Sequence, residues 1–160
     1  MSSRPSNKPE APTDQAACTR QALDLLARRE HTRFELEQKL RARGYPKDIA
    51  AAALDGLEQS GALAEARFTE SFVRARAARG QGPKRIRMEL VERGVDAAEA
   101  AAALLAAGFD WHELAGRARL KRFGAAAPKD YKERARQARF LQYRGFEGGQ
   151  IESALRVGET

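Results

Sequence analysis

Three stretches of this 160-residue chain carry one signature, Leu-x-x-Arg-Gly followed by an apolar residue: Leu40 to Tyr45, Leu90 to Val95 and Leu141 to Phe146. Their glycines, Gly44, Gly94 and Gly145, stand 50 and 51 residues apart, and a further leucine follows each by ten residues, at Leu54, Leu104 and Leu155. A fixed period of this length marks a repeat architecture in place of one large core. Each glycine sits where a helix must stop, because only glycine enters the left-handed C′ conformation without a Cβ penalty. The next apolar residue can then pack back on the last turn.

Composition agrees. The chain holds 32 alanines and 22 arginines but only 4 valines, 3 isoleucines and 5 threonines, a mix that favours helix and starves a sheet. About half of the 42% apolar content is alanine, which is thin for one globular core and suits several small helical modules. One cysteine, Cys18, excludes an internal disulfide framework and a Cys-rich zinc site; it is expected to be a small core or surface thiol.

Start signals divide each repeat into three helices. Thr32-x-x-Glu35 and Asp96-x-x-Glu99 read as capping boxes, and Pro83 stands at a suitable N1 position. Helices are expected over 16–29, 32–43, 47–60, 65–79, 83–93, 96–107, 110–123, 129–144 and 147–157. The expected fold is all-α: three tandem three-helix repeats, at 16–63, 64–108 and 109–160, stacked into an elongated, curved body. Residues 1–15, with Pro5, Pro9 and Pro12, are expected to form a disordered tail.

The net charge of +7 is uneven. Residues 67–93 carry 8 basic and 3 acidic side chains and 117–144 carry 10 and 2, while 94–116 carry four acids and no base. The basic stretches supply the candidate contacts: Arg74, Arg76, Lys84, Arg85 and Arg87 from the first, Arg119, Lys121, Arg122, Lys132, Arg136, Arg139, Tyr143 and Arg144 from the second. On a helix over 129–144, Lys132, Arg136, Arg139 and Tyr143 fall within about 60° of one another, opposite Leu141. A phosphate backbone or an acidic protein surface selects such a stripe, since each cation that neutralises a phosphate releases a counterion. A merely solvated helix face is the competing reading.

Other constellations carry less. Gly80-Gln-Gly-Pro83 has no Gly-Lys-Ser/Thr and no preceding strand, so it satisfies neither a P-loop nor a dinucleotide fingerprint; it reads as a tight interhelical turn, with Lys84, Arg85 and Arg87 beside it for a possible anion. His31 and His112 lack a second ligand at zinc spacing, and His31 reads as a turn residue before the Thr32 cap. Trp111 is expected to anchor the third bundle, Phe68 and Phe72 to lie in the core, and Phe140 and Phe146 to pack in the core or on a helix end. No nucleophile, base and orienting acid come together, so nothing argues for an enzyme. No apolar run approaches the roughly 18 residues of a membrane span, and the start has no hydrophobic stretch for a secretory signal, making the cytoplasm the expected compartment.

Three segments, in order, resemble the motifs of the bacterial RecX regulatory proteins: Leu26-Ala-Arg-Arg-Glu-His-Thr-Arg-Phe-Glu-Leu-Glu-Gln-Lys-Leu40, Gly80-Gln-Gly-Pro-Lys-Arg-Ile-Arg-Met-Glu-Leu90 and Arg139-Phe-Leu-Gln-Tyr-Arg-Gly-Phe146. The resemblance spans residues from about 20 to 157 and implies a curved, all-helical modulator of the RecA recombinase that lies in the groove of the RecA filament on DNA. There it would limit filament growth and lower strand exchange, ATP hydrolysis and coprotease activity, modulating DNA repair and the SOS response. It implies the RecA filament and single- and double-stranded DNA as partners, no membrane, no cofactor, no metal and no catalytic residues, for a protein acting as a monomer. Two departures stand out: Ala64-Glu65 stands where family members carry an acidic pair ahead of Arg67-Phe68, so a helix cap worth about 1 kcal/mol is expected to be lost, and the tail before residue 16 has no counterpart in the family pattern. The basic stretches by themselves also fit a helical DNA-binding protein that acts without RecA, and the repeats by themselves a plain protein-interaction scaffold.

Overall fold

Helix ends are set by glycine stops and side-chain caps, and a computed structural model, which describes residues 14–156, has them where those signals stand. The described residues form nine helices, α1 (Gln15–Arg28), α2 (Arg33–Ala42), α3 (Lys47–Gln59), α4 (Glu65–Ala78), α5 (Pro83–Glu92), α6 (Ala97–Ala106), α7 (Trp111–Phe123), α8 (Tyr131–Arg144) and α9 (Gly148–Leu155), and contain no strand. Gly44, Gly94 and Gly145 adopt φ of 95°, 92° and 95°. After each glycine the next amide reaches back to the repeat leucine: Tyr45 to Leu40 at 3.2 Å, Val95 to Leu90 at 3.0 Å, Phe146 to Leu141 at 3.1 Å. The glycine amides bond to Arg41, Val91 and Gln142, each at 3.0 Å, which completes three Schellman stops. All nine repeated apolar positions are buried, including Leu54, Leu104 and Leu155. The signature is therefore a stop and a core wedge made from the same six residues.

The caps explain the small shifts in helix ends. The Asp14 carboxylate accepts from the Ala16 amide at 2.9 Å, so α1 opens at Gln15, inside the stretch expected to be disordered; the rest of that stretch, residues 1–13, lies outside the described residues. Asp130 accepts from the Glu133 amide at 2.8 Å and starts α8 at Tyr131, two residues later than expected. Thr32 Oγ1 accepts from Glu35 at 3.1 Å, and Asp96 accepts from Ala98 at 2.9 Å and Glu99 at 3.4 Å. Pro83 occupies the first turn of α5.

The chain divides into two compact units between Glu65 and Ala66. In the first, α1, α2 and α3 enclose Cys18, Ala22, Leu25, Leu36, Leu40, Tyr45, Leu54 and Leu57. Burial raises the Cys18 thiol pKa, in keeping with a core residue. His31, expected as a turn residue, does lie between α1 and α2 but is only 1% exposed. Its Nδ1 is 3.0 Å from the Arg29 carbonyl oxygen and its Nε2 is 2.9 Å from Lys39 Nζ. Since an ammonium only donates, Nε2 accepts and the ring is neutral; burial and the two neighbouring cations lower its pKa.

The second unit holds α4 to α9 around two clusters. Phe68, Phe72, Val73, Ile86, Leu90, Val95 and Leu104 form one, and Ala115, Leu141, Phe146 and Ala154 the other. Trp111 and Leu114 pack against both. The expected anchor of the third bundle is thus shared with the second.

Candidate interaction surface

A backbone junction inside the second unit positions the candidate residues. Gly82 donates its amide to the Arg144 carbonyl at 2.8 Å, and Lys84 donates to the Gly145 carbonyl at 3.0 Å. The start of α5 therefore sits directly on the glycine stop of α8. A Cβ on Gly82 would stand 2.5 Å from the Gly145 carbonyl oxygen, and one on Gly145 would collide with Arg85. Gly80-Gln-Gly-Pro83 is a turn, as expected, and Gly82 is small because another backbone occupies the space.

Arg144 belongs to this junction. It is half-buried, donates to the Arg79 carbonyl at 3.0 Å and lies 4.9 Å from the Phe140 ring centroid. Arg79 is drawn in with it. A groove bounded by the end of α4 and by α7 and α8 is lined by Arg79, Arg117, Lys121, Arg122 and Arg144 over a floor that includes Leu114, Ala118 and Phe140. No carboxylate lines it among the described residues, although Glu113 pairs with Arg117 from outside. Five guanidinium and ammonium groups around one opening create a positive potential that a multivalent anion relieves.

The stripe on α8 is exposed at Lys132, Arg136, Arg139 and Tyr143, while Leu141 is fully buried behind it. Arg136 lies 5.3 Å from the Phe123 ring, with Arg122 at 5.4 Å from the same ring, and Phe123 meets Phe140 edge to face at 5.3 Å. Aromatic rings thus carry cations of the stripe and of the groove on one framework by cation–π attraction, and Arg136 is in addition 3.5 Å from Glu133 one turn away.

On α4 and α5 the candidates differ in freedom. Arg74 is exposed and paired with Glu70 at 2.8 Å. Arg76 is half-buried, 3.6 Å from Glu89 and 4.6 Å from the Phe72 ring. Arg85, also half-buried, sits 3.3 Å from Glu89 and 5.3 Å from the Tyr143 ring. Lys84 and Arg87 are exposed. Glu89 therefore holds two of the five.

Arg119 leaves the candidate set. It is 1% exposed and donates to Gln137 Oε1 at 2.8 Å, the Gly124 carbonyl at 3.4 Å and the Ala126 carbonyl at 2.6 Å. Its guanidinium replaces hydration with three acceptors and pins the turn between α7 and α8, so it is a structural residue. Arg79 and Arg117 join the surface instead. The spacing of Arg117 and Lys121 on α7 was a readable signal for one of them; Arg79 lies beyond the end of α4 and only the fold brings it in.

Among the described residues no group of histidine, cysteine and carboxylate side chains could hold a metal ion, and no helix is long and apolar enough to cross a membrane.

Comparison with known proteins assigns each helical trio. Family models described as RecX first, second and third three-helix domain match residues 18–57, 65–104 and 110–155. Regulatory protein RecX of Pseudomonas savastanoi pv. phaseolicola is 52% identical over 130 residues, 81% of this chain and 84% of that protein. Its counterpart from Pseudomonas fluorescens is 48% identical over 139 residues, 87% and 90% of the two chains. The crystal structure of RecX from Lactobacillus salivarius has the same fold, with a TM-score of 0.76 at 23% identity, covering 89% of this chain and 94% of that one. Three family domains falling in order on the three repeats, with about half the residues shared with such relatives, mean that the chain belongs to the RecX family of regulatory proteins.

Proposed function

We propose that this protein binds the RecA filament on DNA and inhibits it, limiting filament extension and lowering strand exchange, ATP hydrolysis and coprotease activity. In this way it modulates DNA repair and the SOS response. It acts in the cytoplasm, as a monomer, without cofactor or catalytic residues of its own, through three modules spanning 16–63, 64–108 and 109–160. Family membership supports the partner. The observation that carries the site is the groove of Arg79, Arg117, Lys121, Arg122 and Arg144, which has no carboxylate in its lining among the described residues.

A regulator of this kind needs contact with a filament and with the phosphates it encloses, and each phosphate neutralised adds a salt-sensitive increment of affinity. Lys84, Arg87, Lys132, Arg136 and Arg139 extend the basic surface on both sides of the junction. RecA-driven ATP hydrolysis on single-stranded DNA tests the reading. Inhibition at stoichiometric amounts of this protein is the expected result; unchanged hydrolysis and strand exchange would refute it.

A second reading, DNA binding independent of RecA, is favoured by the exposure of Lys132, Arg136 and Arg139 along one helix. It requires tight, salt-sensitive binding to DNA alone together with an unaltered RecA ATPase.

A further inference from the structure

Tyr143 is 76% exposed, although its helix buries Leu141 completely and its neighbour Phe146 is only 2% exposed. A tyrosine gains most of its stabilisation by burying its ring, so folding leaves this one unused. The ring is nevertheless held. The Arg85 guanidinium lies 5.3 Å from its centroid, and Arg85 is itself fixed by Glu89 at 3.3 Å. The junction of Gly82 with Arg144 and of Lys84 with Gly145 locks α5 against α8 on either side.

We infer that Tyr143, backed by Arg85, is a stacking platform for an unpaired base of single-stranded nucleic acid. This rests on the reading that the basic surface of the second unit meets nucleic acid. The groove beside the ring contains Lys84 and Gln142, a cation for the adjoining phosphate and an amide for a base edge. Arg139 stands one turn earlier on the same face of α8 and offers the next phosphate. Glu89 in the same groove is already compensated by Arg76 and Arg85; Glu92, also on its wall, disfavours a bare anion there. A phosphate alone would therefore choose the carboxylate-free groove between α4, α7 and α8, whereas a base seeks an open aromatic face with a guanidinium behind it. Duplex DNA keeps its base faces stacked, so the platform discriminates single strands from duplexes.

Tyr131 supplies the control: it lies on the same helix and is 86% exposed, and no guanidinium of the described residues lies over its ring. Binding of the full-length protein to a dye-labelled oligothymidine, to an abasic oligonucleotide of equal length and to a duplex is followed by fluorescence anisotropy. Tyr143→Ala is expected to weaken binding to oligothymidine by about 5- to 150-fold, the worth of one stacked base, while leaving the abasic strand and the duplex unchanged. Tyr143→Trp retains the affinity and Tyr131→Ala has no effect. If wild-type protein binds oligothymidine and Tyr143→Ala binds it equally well, or loses the abasic strand to the same degree, the platform is overturned and the basic surface stands. If wild-type protein binds none of the three, the platform and the nucleic-acid reading fail together.

Discussion

Gly82 and Gly145 meet through their backbones, with room for only 2.5 Å between a Cβ on the first and the carbonyl oxygen of the second. Gly82→Ala must push one main chain away from the other, a change that no side-chain rotation accommodates. We expect the second unit to lose about 2 kcal/mol or more, in the upper range of overpacking substitutions. Thermal unfolding of this variant beside Gly56→Ala, where an added Cβ meets nothing within 4 Å, checks it; equal melting temperatures would contradict the junction.

Arg119 and Lys132 are both cations of the third repeat, but only the removal of the first should cost stability. Arg119→Met leaves Gln137 Oε1 and two carbonyls without their donor and is expected to cost about 2–3 kcal/mol. Lys132→Ala, at an exposed position, should change stability by no more than about 0.5 kcal/mol. Denaturant titration of both variants measures the contrast.

Stability of the first unit should depend on pH through His31. Its folded pKa is lowered by burial, with Arg29 and Lys39 adding to the effect, so the unfolded chain takes up the proton first. The stabilisation is complete above the ordinary histidine value of about 6.5 and is lost as pH falls from there toward the depressed folded value. Melting curves between neutral and mildly acidic pH should fall less steeply for His31→Gln than for the wild type. Parallel curves would count against a neutral, buried imidazole.

Charge reversal separates the basic groups by their freedom. The double substitution Lys121→Glu and Arg122→Glu, within the groove, should sharply reduce RecA inhibition and lower the salt dependence of DNA binding by about one unit of slope per lost phosphate contact. Arg74→Glu, at a residue already spent on Glu70, should do less. RecA ATPase assays across a salt series measure both, and equal effects would dissociate the groove from function.

The helices were readable because their ends are written locally: a glycine at C′, an aspartate or threonine at N-cap, a proline at N1. The stripe on α8 was readable for the same reason, since helical period alone puts Lys132, Arg136 and Arg139 on one side of Leu141. Arg119 looked like its neighbours because what buries it is the path of the turn at 124–126 and the side chain of Gln137, 18 residues away. The purpose of Gly82 was likewise hidden, since its partner Arg144 is in another repeat. Arg79 entered the surface through Arg144, 65 residues along the chain. Local chemistry predicts elements; these residues are defined by what non-local contacts bring beside them.

Trp111, the chain's single tryptophan, packs on both clusters of the second unit. Its emission therefore reports on that unit, whereas circular dichroism weighs all the helices. Fluorescence and ellipticity recorded on the same sample therefore tell one cooperative transition, in which the two curves coincide, from separate unfolding of the two units, in which they part, without any label.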